Sequence, residues 1–163
     1  RIRALARSTS PQERQSGPGE ETRRAPPPMT RARFEQLVTE AIRTIPARFR
    51  DELRNIAVIV EDEPADDLLD EMEIEPPDTL FGLYQGIPLT ERAWDYGNAL
   101  PDRIVLYQGP IEDASETEDD VVVTVGETLI HEVGHYFGLS EEELEDIEER
   151  YWRAQDGLPE DDA

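Results

Sequence analysis

Apolar positions recur along this chain in two rhythms, and each predicts a different kind of element. Phe34, Leu37, Val38, Ala41, Ile42 and Ile45 fall three or four residues apart, the spacing of one helix face. Thr30 stands where an N-cap belongs and Pro46 closes the pattern, so a core-packing helix is predicted between them. Residues 56–60 are a continuous, largely β-branched run, Ile-Ala-Val-Ile-Val, as expected of a strand buried on both faces. Residues 61–77 are acidic and hold three prolines, which predicts a surface loop with a helical turn at 66–72. Residues 80–84 and 104–107 predict two further short strands, each closed by a Gln-Gly pair.

Both rhythms meet in residues 119–137. The run Val121-Val122-Val123-Thr124-Val125 has strand propensity, yet Val122, Val125, Leu129, Val133 and Tyr136 keep a helical period. Thr124 and Glu127 have the spacing of a capping box. A helix is expected over at least 125–137, with its first turns open. Gly138 follows as a C-cap. Ser140 and Glu143 form a second capping box, which starts a helix from Glu141 to about Arg153. That helix is expected to bury Leu144, Ile147, Tyr151 and Trp152.

The ends of the chain are different in kind. Residues 1–28 are rich in Arg, Ser, Gly, Glu and Pro, lack aromatic residues and finish in three prolines; a disordered basic tail is expected. A basic arm that contacts a partner is the alternative. Residues 156–163 read as an acidic C-terminal tail, which leaves 29–155 as the domain. The 163 residues suffice for one domain with a real core but not for two.

Charge changes the picture next. The chain carries 16 basic and 39 acidic residues, a formal charge of −23. Residues 1–33 hold eight arginines against three acids, or +5, so the rest carries −28. A body of that sign excludes a nucleic-acid binder, whose phosphate partner demands a basic footprint. No stretch reaches the roughly eighteen consecutive apolar residues that a membrane helix needs. No apolar run follows Arg1, Arg3 and Arg7, so neither a secretory signal nor a membrane partner is expected, and a cytoplasmic monomer is. With no cysteine, a metal site would have to use His, carboxylates or water.

Such a site is legible. The only two histidines of the chain sit in His131-Glu132-Val133-Gly134-His135, an H-E-x-x-H motif. On a helix, residues four apart share a face, so both imidazoles can meet one zinc ion at about 2.0–2.1 Å. Glu132 borders that face and suits a general base toward water on the metal. Catalytic zinc usually has three protein ligands, and no histidine remains. The spacing H-E-x-x-H-x-x-G-x-x-E brings Glu141 to the place where an extended metzincin motif carries its third histidine. An acid in the first turn of a capped helix also favours the helix dipole with no metal involved, so Glu142, Glu145 and, from a later helix turn, Glu148 stay open as alternatives. Tyr151, Tyr107 and Arg103 are candidates for oxyanion stabilisation, although packing or surface roles suit each. Both methionines precede the motif and only 25 residues follow Gly138, so neither a Met-turn nor a substantial C-terminal wall is expected after it.

These residues resemble a small, mostly bacterial zincin-like metallopeptidase family over about residues 30–150. The likeness takes in the opening helix, Val58-Ile59-Val60-Glu61-Asp62-Glu63-Pro64, Gly82-Leu83-Tyr84-Gln85-Gly86 and Leu100-Pro101-Asp102-Arg103-Ile104. It ends in the specific block His131-Glu132-Val133-Gly134-His135-Tyr136-Phe137-Gly138-Leu139-Ser140. The resemblance implies a compact α+β zincin-like domain, its small mixed β-sheet packed against the metal-binding helix and an N-terminal helix. It also implies one zinc ion on His131 and His135, with an acidic third ligand at Glu141. The function expected is a zinc-dependent peptidase acting on a peptide or protein, with the substrate paired to an edge strand at 104–107. A catalytically silent metal-binding interaction domain is the rival reading, and a purely structural acidic scaffold the third.

Overall fold

The computed structural model describes residues 29–86, 102–155 and 157 in full, and residues 3–8 as backbone. The elements run β1 (Arg3–Ser8), α1 (Arg31–Thr44), α2 (Ala47–Glu52), a 3-10 turn at Leu53–Asn55, β2 (Ala57–Glu61), α3 (Asp66–Glu71) and β3 (Asp78–Gln85). After these come β4 (Arg103–Tyr107), α4 (Gln108–Asp113), α5 (Glu118–Phe137) and α6 (Glu141–Gln155). Helix α1 begins where its cap predicts: Thr30 Oγ1 accepts from the Arg33 N–H at 3.2 Å. It buries Phe34, Leu37, Val38 and Ala41, and it packs along α5.

The sheet is mixed and four-stranded, in the order β1-β3-β4-β2. β2 runs parallel to β4, while β3 pairs antiparallel with both β4 and β1. This corrects two expectations. The β-branched run of β2 lies at an edge, with its three central residues only half buried. β4, expected to be an edge, is interior and buried from Ile104 to Tyr107. The reason is coverage. Helix α5 with α1 and α2 closes one face of the sheet around Phe81, Tyr84, Ile104 and Leu106. On the other face Leu68, Leu69, Met72 and Ile74, from α3 and the residues after it, close over Leu80, Leu83, Val105 and Tyr107. A side chain such as Ile104 or Leu106 contributes roughly 1.5–3 kcal/mol by its burial, and the central strands collect most of it. The faces of β3 do not alternate strictly, because the pairing with β1 shifts between Leu5 and Ala6 and skips Phe81. That bulge turns Phe81 and Tyr84 to one side and Leu80 and Leu83 to the other.

The motif helix starts earlier than its sequence suggested. Thr117, not Thr124, caps α5: its hydroxyl accepts from the Asp120 N–H and the Asp120 carboxylate accepts from the Thr117 N–H, both at 3.1 Å. Glu118, Asp119 and Asp120 then sit at the positive end of the helix dipole. Once nucleated upstream, the valine run continues as helix because Val121 and Val125 fill the core. Gly138 ends α5 with φ 77°, a left-handed conformation that glycine adopts without strain. The Ser140–Glu143 capping box forms, with both bonds at 3.2 Å, and α6 folds back onto α5. Leu144 and Tyr151 are buried there and Ile147 is half buried, but Trp152 is 46% exposed, against expectation. The pair Gln108-Gly109 directly follows the end of β4, as expected, and also opens α4.

No described helix is long and apolar enough to cross a membrane. Most of the expected tails at 1–28 and 156–163 lie outside the described residues; within the first, Arg3–Ser8 is a strand.

Candidate metal centre

The last two turns of α5 carry His131, Glu132 and His135, which are 7%, 0% and 6% exposed. Four residues apart on one helix, the two imidazoles face each other with their Nε2 atoms 2.9 Å apart and their planes at 89°. The left-handed turn at Gly138 reverses the chain, and Glu141 opens α6 with its Oε1 3.6 Å from His135 Nε2. The three donor atoms all lie within 4.8 Å of one another. Ligands about 2.0–2.1 Å from a tetrahedral ion sit roughly 3.4 Å apart, and the separations of 2.9 and 3.6 Å bracket that value. Two imidazoles and a carboxylate also form a donor set that zinc accepts. By distance and by chemistry the residues fit a metal ion.

Glu148 approaches the same histidine from behind. Its Oε1 lies 3.0 Å from His131 Nδ1, with both side chains largely buried. A proton held between Nδ1 and that carboxylate leaves the Nε2 lone pair of His131 directed into the cluster. Glu148 therefore meets the ring nitrogen opposite the donor triangle rather than joining it. It stands seven residues after Glu141, two helical turns on, so α6 delivers both carboxylates from one face. Close approach of α6 to α5 makes this possible. A Cβ on Gly134 would stand 2.1 Å from Leu144 Cδ2, and one on Gly126 would stand 2.0 Å from the Tyr151 hydroxyl.

Glu132 is held from the sheet. Its Oε2 accepts the backbone N–H of Tyr84 in β3 at 2.9 Å, which orients the carboxyl group of a fully buried side chain. Tyr84 is itself fixed, since its hydroxyl donates to Asp102 Oδ2 at 2.6 Å and its ring lies 5.9 Å from that of Tyr136. The sequence marks Tyr84 as a strand residue and, like Asp102, as part of a resembling block, but gives neither a role at the site. A backbone N–H has no side-chain signature that could have marked the contact in advance.

The other candidates lie elsewhere. Glu142 and Glu145 are exposed on α6 and belong to no metal-ligating cluster among the described residues. The Tyr151 hydroxyl pairs with Thr44 Oγ1 at 2.9 Å, and burial raises its pKa above the usual tyrosine value. Tyr107 packs on the far face of the sheet, where burial first and Glu61 second push its pKa up to about 12. Arg103 bonds Gln85. Each of the three has a structural partner in place of a place beside the donors.

A helix that carries two histidines and a glutamate in this spacing, laid against a small mixed sheet, defines a zincin-type site. The family model of the zincin-like metallopeptidases matches residues 53–151, from the turn before β2 to the end of the α6 core, and the chain belongs to that family. No curated protein gives a significant match to it.

Proposed function

We propose that this chain is a zinc-dependent peptidase in which His131, His135 and Glu141 hold the metal and Glu132 is the general base and acid. The observation that supports this most is the convergence of the three donor atoms within 4.8 Å beside a fully buried Glu132. When bound, the ion supplies Lewis acidity, which polarises a peptide carbonyl and makes water easier to deprotonate. Glu132 takes a proton from the attacking water as the C–O bond forms, and returns it to the amine nitrogen as the C–N bond breaks. The Tyr84 N–H keeps its carboxylate in one orientation for both transfers. Glu148 sets the tautomer of His131.

The test is Glu132→Gln in the zinc-loaded protein, assayed on unstructured peptides with chelator controls. Turnover should fall by about 10²-fold or more, the scale of a lost general base, while one zinc per chain is kept. Parent-rate cleavage by this variant would refute the role. A silent metal-binding domain is the second reading, and it draws support from Glu132 Oε2 being engaged already by the β3 backbone. A zinc-loaded parent that cleaves no peptide in a broad screen would favour it.

A further inference from the structure

Among the described residues, both flanks of β3, the strand beside the site, are paired. Glu132 meets the backbone of β3 at Tyr84, so β3 is the strand against which an extended peptide could reach the base. Its inner flank is taken by β4 and its outer flank by β1. The described sheet has its edges on β1 and β2, and the one on β2 lies two strands beyond β3, roughly 9–10 Å away at about 4.8 Å per strand. Direct pairing with β3 is therefore open to a peptide on one flank alone, and residues 3–8 fill it. Their pairing is antiparallel and runs from Arg3↔Tyr84 to Ser8↔Asp78. Arg3 thus lies about 5 Å, one strand spacing, from the residue whose N–H holds Glu132. The same strand lies against α5, the helix of the motif.

We propose that Arg3–Ser8 docks on β3 as this chain's own occupant of its peptide-binding edge, and that an extended substrate enters by displacing it. The claim about substrate rests on the peptidase reading; the docking does not. Main-chain pairing of six residues covers about 20 Å of strand, the footprint of a short extended peptide. Charge agrees as well. The segment Arg-Ala-Leu-Ala-Arg-Ser brings two arginines to a chain whose residues after 33 carry −28, so the edge suits extended peptides that are basic and otherwise small or apolar. A covering strand also protects β3 from pairing with a second molecule.

Proline tests the docking, because it has no N–H and cannot serve a ladder. In an outermost strand alternate N–H groups point toward the neighbour, so the double variant Ala4→Pro/Leu5→Pro removes one that does, whichever the parity. Hydrogen exchange is measured on the full, zinc-loaded chain and on this variant, with and without a synthetic peptide of residues 1–9. Exchange across 78–85 should rise by about tenfold or more in the variant, zinc content should stay at the parent value, and the added peptide should restore protection. On an unstructured arginine-containing peptide, the apparent KM of the variant should fall about tenfold, with kcat within about twofold of the parent. Unchanged exchange over β3 would overturn the docking. Faster exchange that the added peptide does not reverse, with KM unchanged, would reduce β1 to a plain edge cover and overturn the proposal. Restored protection with no turnover by either protein would support the docking and count against the peptidase reading alone.

Discussion

Removing the carboxylate of Glu148 should weaken the metal site without touching any of its proposed ligands. Glu148 Oε1 lies 3.0 Å from His131 Nδ1, and the two side chains are 16% and 9% exposed. Water reaches this contact poorly and cannot readily replace the lost acceptor. Two costs follow from Glu148→Ala. The imidazole N–H is left buried without its acceptor, at about 1–3 kcal/mol, and His131 is free to turn or to move its proton to Nε2, where it blocks the lone pair. Loss of such a partner typically lowers metal affinity about 10–100-fold, or roughly 1.4–2.7 kcal/mol. Glu148→Gln separates the causes: its amide oxygen still accepts from Nδ1–H, so it should keep most of the affinity and lose only the charge. The assay is competition for zinc against a chelator of known affinity, with circular dichroism to verify the fold. The expected order is parent, then Gln, then Ala. Affinity within about twofold of the parent in a folded Ala variant would refute the argument that His131 needs this carboxylate.

Three further outcomes are expected. Gly134→Ala forces a Cβ to 2.1 Å from Leu144 Cδ2; overpacking of about 1–3 kcal/mol should outweigh the gain of about 1 kcal/mol in helix propensity. Its unfolding midpoint in urea should fall, and a midpoint above the parent's would show that α6 yields freely. Zinc at about 100-fold its dissociation constant should stabilise the protein by about 2.7 kcal/mol, roughly 5–11 °C in melting temperature for a chain this size. That shift should vanish with chelator or in His135→Ala, and its persistence in the variant would move the metal to other ligands. Burial first, then Asp113 and Asp62, hold the Glu63 carboxyl above the usual glutamate pKa. A raised folded value means that the charged form destabilises the protein above that pKa and that the penalty disappears below the ordinary value. Glu63→Gln should therefore stabilise at pH 7 by a few tenths of a kcal/mol, a figure discounted for exposure, and be neutral near pH 3.5; a variant less stable at pH 7 would reverse the sign.

What could be read directly was local. The caps at Thr30 and Ser140, the glycine stop at Gly138 and the shared helix face of His131 and His135 each depend on residues within four or five positions, where chain geometry alone sets distance. Glu141 was reachable by the same logic, since a tight turn limits where the next helix can begin. Even so, two local signals competed at the start of α5. The box at Thr124–Glu127 lost to the one at Thr117–Asp120 because burial of Val121 and Val125 rewarded a longer helix, and that burial depends on the sheet and on α1.

Everything that spans a long stretch of chain was decided by the tertiary structure. Apolar content predicted a β2 buried on both faces, and the expected peptide pairing took β4 as an edge, but strand order follows from which strands two layers of helix can cover, and the composition of a strand does not carry that information. Glu148 meets His131 across 17 positions and Tyr84 meets Glu132 across 48. Both contacts exist because α6 closes on glycines of α5 and because β3 crosses that helix so tightly that a Cβ on Gly82 would stand 2.6 Å from Thr128 Cγ2. The pairing of Arg3–Ser8 with β3 is the same kind of fact: main-chain bonds bring it about, and main-chain bonds leave almost no mark on the identity of the residues that make them.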